Sequence, residues 1–193
     1  MRTRSRTLFI FALAWVASAP GLAASIEERL TACLSCHGQT GQSKNPEVPS
    51  LGAQPPAYLV IQLYLFREKL RPVPLMIEMT KDLSDDDLQK FADSIAALPA
   101  PQPPLEPPDA ARMARARALV QQNRCGFCHS PDFAGHDNIA RLAAQREDYL
   151  AKALREYKSN TRPGYDASMA EVVQPIGDTD IADIAYFMAH ARP

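Results

Sequence analysis

The sequence predicts an all-α fold built as two tandem copies of one small helical domain joined by a proline-rich linker. Three observations carry that expectation. Apolar residues recur at helical rather than alternating spacing, as at Ile181, Ile184, Ala185 and Met188. The twelve residues from Leu98 to Asp109 include six prolines, a composition that favours extended polyproline geometry and makes a semi-rigid spacer. The segments on either side of it align. Leu51, Gln54, Tyr58, Leu59, Phe66 and Arg71 recur as Leu142, Gln145, Tyr149, Leu150, Tyr157 and Arg162 at an offset of 91. Met76, Leu83, Asp85, Leu88 and Ala92 recur as Met169, Ile176, Asp178, Ile181 and Ala185 at 93. A unit this long is a duplicated domain rather than a solenoid turn. The expected divisions are a leader at 1–24, a first domain at 25–98, the linker at 99–109 and a second domain at 110–193.

The leader carries Arg2, Arg4 and Arg6, an apolar run from Leu8 to Ala19, and small residues ending in Leu22-Ala23-Ala24. That order marks a secretory signal peptide. Its apolar core is too short for a spanning helix, which needs about 20 residues, and no later run is long enough either. Cleavage removes three arginines and no acid, leaving 18 basic against 22 acidic residues, a net charge of −4. This is not the composition of a nucleic-acid-binding protein. A soluble periplasmic protein is expected.

Within the first domain a helix should start near Ser25, a second should run from about Pro56 to Lys69, and a last should begin at Ser84. There Asp87, three residues on, makes a capping-box variant, and three acids favour the positive end of the helix dipole. The second domain should repeat these with helices starting near Asp109, running from Arg146 to Lys158, and starting near Asp178.

Both repeats carry one short motif near the start, Cys33-Leu34-Ser35-Cys36-His37 and Cys125-Gly126-Phe127-Cys128-His129, which together use all four cysteines. In C-x-x-C-H the two thiols lie one helical turn apart, matching the vinyl groups along a porphyrin edge, and the adjacent imidazole can reach the iron. Cys33, Cys36, Cys125 and Cys128 are therefore expected to hold two haem c groups by thioether bonds, with His37 and His129 as the first axial ligands. A C-x-x-C alone would also suit a redox dithiol, a zinc half-site or a disulfide. A zinc ribbon, however, wants its second cysteine pair about 15 to 20 residues after the first. Here the pairs are nearly ninety residues apart. No alternating strand flanks either motif as a thioredoxin-like site would need. Domains of this size bury only a thin core, so the haem must supply much of the apolar centre, and neither half should fold stably without it.

The second axial ligand decides whether such a site transfers electrons or binds small molecules. The first half alone offers Met76 and Met79. The repeat selects between them: Met169 to Ile176 and Met76 to Leu83 are the same seven-residue step, while Met79 falls opposite Val172. Met76 and Met169 are the expected sulfur ligands, with Met79 and Met188 assigned to packing. His136 follows His129 too closely to reach the opposite haem face, and His190 suits the last turn of the final helix. Tyr58, Tyr149, Arg71 and Arg162 recur in register as candidate partners of haem propionates, with ordinary packing and solvent exposure as the alternatives. Replacement of Ser50 and Gly52 by Arg141 and Ala143 makes the two haem surroundings inequivalent, so two distinct potentials are expected.

Cys-Leu-Ser-Cys-His-Gly at 33–38, Pro49 to Gln54 with Tyr58-Leu59, Met76 and Leu83-Ser84-Asp85 resemble the first half of the di-haem cytochrome c4 family, in which two class I cytochrome c domains are fused in tandem. The second half repeats them more loosely. The resemblance implies two haems near each other across a domain interface, passing single electrons to a redox partner such as a terminal oxidase, reductase or dehydrogenase, with docking to a membrane-bound complex open. It also implies a backbone carbonyl before the Leu-x-x-Gln segment that accepts from the haem histidine. Pro49 fits that role, and Ala140 stands at the matching place. The function implied is an electron carrier rather than an enzyme; the alternative is a cytochrome subunit of a periplasmic dehydrogenase or flavocytochrome complex.

Overall fold

Local capping chemistry sets the helix boundaries. The computed structural model describes residues 25–164 and 167–192, so the leader lies outside the described residues. Helix α1 (Ile26–His37) begins at a full capping box: the Ser25 hydroxyl accepts from Glu28 N–H at 3.2 Å while the Glu28 carboxylate accepts from Ser25 N–H at 2.9 Å. Helix α2 (Pro56–Arg67) opens on a proline whose missing N–H has no partner to lose there. Helix α3 (Pro74–Thr80), also proline-initiated and too short to show a periodic face, carries Met76 and Met79. Helix α4 (Asp85–Ala96) starts from the expected box between Ser84 and Asp87.

The second half repeats the plan with one difference. Helix α5 (Ala110–Gln122) is capped by Asp109, but it stops short of the cysteine motif, which forms its own short helix α6 (Cys125–His129). The break has a local cause. The Asn123 amide donates to Leu119 O at 2.8 Å, and Arg124 takes a left-handed conformation at φ 53°. Helices α7 (Glu147–Lys158), α8 (Ser168–Val173) and α9 (Asp178–His190) then match α2, α3 and α4. No strand occurs among the described residues, only an isolated bridge between His136 and Ile139. None of the described helices is long and apolar enough to cross a membrane.

Helix packing separates into two groups. In the first half α2 packs on α3 and α4, and α4 meets α1; in the second α9 packs on α5 and α7, and α7 on α8. The first core is small, centred on Leu59, Phe91, Ala92 and Ile95. The second is larger, running from Ala116 and Val120 through Phe133 and Leu150 to Ile181, Phe187 and Met188. The same device pins the first and last helices in both halves. Arg29 of α1 meets Asp87 of α4 at 2.9 Å and lies over the Phe91 ring; Arg112 of α5 meets Asp183 of α9 at 2.8 Å and lies over Tyr186.

Asp183 is 7% exposed and also receives Arg115 at 3.4 Å. Its replacement by alanine strips two guanidinium groups of their shared carboxylate, and a lost charge-assisted bond in a part-buried site costs about 2 kcal/mol. The denaturant midpoint of the Asp183→Ala holoprotein should fall accordingly, with the slope unchanged. The linker lies tied at both ends: Gln42 and Gln102 exchange hydrogen bonds at 2.9 and 3.2 Å, and Asp109 N–H donates to Tyr186 Oη at 2.8 Å.

Candidate functional site

The motif histidines are among the few buried polar residues, at 7% exposed for His37 and 8% for His129. Each ring is locked the same way. His37 Nδ1–H donates to the Pro49 carbonyl at 2.8 Å, and His129 Nδ1–H donates to the Ala140 carbonyl at 2.8 Å. That bond selects the tautomer whose Nε2 lone pair is free for a metal, and burial pushes both imidazoles below their usual pKa, keeping them neutral as ligation requires. Loss of the proline ring at 140 leaves the acceptor at the same distance as in the first half. Among the described residues no disulfide joins the four cysteines; Cys33 and Cys125 are partly buried, while Cys128 and the neighbouring Phe127 are exposed. Among the described residues no three His, Cys, Asp or Glu side chains gather as a metal cluster.

The candidate sulfur ligands lie against the domain cores. In the first half a cavity of about 170 Å³ is walled by Leu63, Phe91 and Ile95 and brings Cys33 together with both Met76 and Met79. In the second, Cys125 and Met169 pack against one core. The turn of the short helices separates the two candidates. Met76 and Met169 are partly buried, whereas Met79 and its counterpart Val172 are each 40% exposed. Met188 is 2% exposed within the α9 core. His136 pairs with Asp137 at the surface, and His190 Nδ1–H donates to Tyr186 O at 2.8 Å.

The repeated Tyr and Arg residues meet between the domains. Tyr149 Oη accepts from Arg162 of its own half at 3.0 Å and from Arg71 of the other at 3.4 Å. Burial alone would raise the Tyr149 phenol, but the charges of Arg162 and Arg71 outweigh it and hold the pKa down at about 8. Tyr58 is pushed up instead, by burial and by Tyr149 beside it. The arginines are not solvated: Arg71 is 7% and Arg162 5% exposed, lying over the rings of Phe66 and Tyr157.

Among the described residues, Arg71 Nε, Arg162 Nε, and both Nε and Nη2 of the equally buried Arg141 have no hydrogen-bond partner. Buried guanidinium donors left unpaired are costly, and an excess of positive charge facing a phenol calls for anions. Haem propionates are carboxylates of the right charge and denticity, so these residues fit the group that the cysteine motifs imply. Burial of Arg141 was not readable from sequence; the only signal was its substitution for Ser50 in the repeat.

Two glutamines cross the same interface. The Gln54 amide accepts from Arg141 N–H at 3.0 Å and donates to Arg141 O at 2.9 Å; the Gln145 amide accepts from Ser50 N–H at 2.8 Å and donates to Ser50 O at 2.8 Å. Ion pairs and hydrogen bonds from Glu47 to Lys152 and Asp148, at 2.8 and 3.0 Å, extend the contact.

Comparison with known proteins adds a consistent set of relatives. The cytochrome c family model matches residues 113–192. Cytochrome c4 of Pseudomonas aeruginosa is 29% identical over 192 residues, covering 94% of each chain. Cytochrome c-554(548) of Halomonas halodenitrificans is 35% identical over 75 residues, covering 37% of this chain and 90% of that one. The thiosulfate dehydrogenase electron acceptor of Stutzerimonas stutzeri is 27% identical over 169 residues, covering 82% of this chain and 78% of that one. The crystal structure of reduced recombinant cytochrome c4 from Pseudomonas stutzeri superposes with a TM-score of 0.77 at 24% identity, covering 88% of this chain and all of the other.

Proposed function

Because this chain belongs to the di-haem cytochrome c4 family, we propose that its two haem c groups move single electrons between periplasmic redox partners with each iron held between a histidine and a methionine. His37 and Met76 are assigned to the first haem, and His129 and Met169 to the second. Cys33, Cys36, Cys125 and Cys128 form the thioether links. Haem supplies a one-electron ferrous/ferric couple. The chain's own residues do the rest. The histidines present a fixed Nε2 and the methionines a sulfur that together would hold the iron and leave no site for substrate, the apolar cores exclude water, and Arg71, Arg141 and Arg162 would neutralise propionates. The divisions at 25–98, 99–109 and 110–193, and export by the leader at 1–24, complete the reading.

The observation that carries it is the matched pair of buried histidines, each with Nδ1 donating at 2.8 Å, in two halves that bring together buried arginines whose Nε atoms lack a partner among the described residues. A reductive titration tests it. The purified holoprotein should take up two electrons per chain and bind no carbon monoxide when reduced; stoichiometric carbon monoxide binding would mean an open iron and defeat the carrier assignment.

A second reading is favoured by the similarity to a thiosulfate dehydrogenase electron acceptor: the chain serves as the dedicated acceptor of a periplasmic dehydrogenase, free or docked to its partner. Terminal oxidases and reductases are the partner classes on the other side of the same electron path. Co-purification with a dehydrogenase, and rapid reduction by it, would favour the dedicated role.

A further inference from the structure

The glutamine pair does more than join two domains, because of what lies on the other side of each clamped peptide. Gln145 accepts from Ser50 N–H at 2.8 Å, and that N–H shares one planar peptide unit with the Pro49 carbonyl that accepts from His37 at 2.8 Å. Gln54 accepts from Arg141 N–H at 3.0 Å, and that N–H shares its peptide unit with the Ala140 carbonyl that accepts from His129 at 2.8 Å. Both glutamines are buried, 5% and 4% exposed, as are Ser50 at 1% and Arg141 at 6%. Water cannot replace the bonds. The symmetry follows the repeat, since Gln54 and Gln145, like Ser50 and Arg141, stand at the common offset of 91.

We propose that Gln54 and Gln145 are positioning residues for the ligand histidine of the opposite domain, Gln54 acting on His129 and Gln145 on His37, each through one peptide plane. The assignment rests on reading His37 and His129 as iron ligands. Two physical effects act together. The amide fixes the orientation of the plane, and a hydrogen bond at its N–H polarises its C=O, strengthening the bond the histidine makes. A stronger acceptor at Nδ1–H makes the imidazole a more basic ligand, which favours the ferric state and lowers the potential. Pro49 stiffens the first plane by its ring, but Ala140 supplies no such restraint. The Gln54 clamp therefore has the larger share of the work, and it accounts for the equal distances on the two sides.

The test is crossed by design. In the oxidised holoprotein, Gln54→Leu should shift the hyperfine-displaced proton signals of His129 and raise the potential of the second haem, leaving His37 and the first haem as in the parent. Gln145→Leu should do the reverse, with a smaller shift. Gln54→Glu keeps an acceptor for Arg141 N–H but loses the donor to Arg141 O, so it should displace the His129 signals less than leucine does and leave those of His37 as in the parent, and it serves also if the leucine variant does not accumulate. Perturbation confined to the haem of the substituted residue's own domain, equal perturbation of both, or none would overturn the clamp. Parent spectra in which neither His37 nor His129 carries a hyperfine shift would instead overturn the ligand assignment, and the clamp with it.

Discussion

On the proposed histidine and methionine ligation, Met169→Ala should lower the reduction potential of the second haem by a sizeable part of the roughly 0.8 V range that axial ligands command, and open its iron to carbon monoxide. The thioether is a soft donor that stabilises ferrous iron, so its loss moves the couple toward the ferric state and leaves the sixth position to solvent or exogenous ligand. Helix α8 presents Met169 to the core that also receives Cys125, while Val172, one turn on, faces outward at 40% exposed. Met76→Ala should act in the same way on the first haem. Met79→Ala and Met188→Leu should leave both potentials near those of the parent, since Met79 is 40% exposed and Met188 is held in the α9 packing. An unchanged second potential with no carbon monoxide binding in Met169→Ala would end that assignment.

Cys33→Ala combined with Cys36→Ala, which would remove the thioether links proposed for the first haem, should unfold most of residues 25–98 once the haem is lost. The first core consists of Leu59, Phe91, Ala92 and Ile95 with a fringe of half-buried neighbours, and an open cavity adjoins it. A core this small supports few helices without a prosthetic group at its centre. The corresponding Cys125→Ala and Cys128→Ala pair strips the larger second core, whose Phe133 and Phe187 rings meet edge to face at 5.8 Å, and should leave more residual helix. Far-ultraviolet circular dichroism of the two double variants, after haem removal, measures the difference. Full parental helicity in the first would show that the polypeptide core suffices.

Helix starts were legible because capping is local. Ser25, Ser84 and Asp109 each sit where their own side chain accepts a hydrogen bond from an N–H three residues on, and that pattern is written in adjacent letters. The break before Cys125 was not legible, since it depends on Asn123 and Arg124 leaving the helix together. Helices α3 and α8 are too short to show a periodic face. For the site, the repeat proved more informative than composition. It distinguishes Met76 from Met79, but the packing role expected of Met79 is corrected: that side chain is 40% exposed on α3, while Met76 is partly buried.

The burial of Arg71, Arg141 and Arg162 ran against the ordinary tendency of arginine to stay in water. Arg71 and Arg162 share Tyr149 across the two halves, a contact no local pattern encodes. Gln54 and Gln145 recurred in register, yet a recurring glutamine has no role until its partner backbone is placed opposite.

The most direct test of the central claim is proton NMR of the fully reduced protein. A methionine bound to a low-spin ferrous haem places its methyl group in the ring current, giving a sharp, strongly upfield signal. Two such signals are expected, one vanishing in Met76→Ala and the other in Met169→Ala. A spectrum with none, or one in which the signals survive both substitutions, would contradict sulfur ligation from these residues.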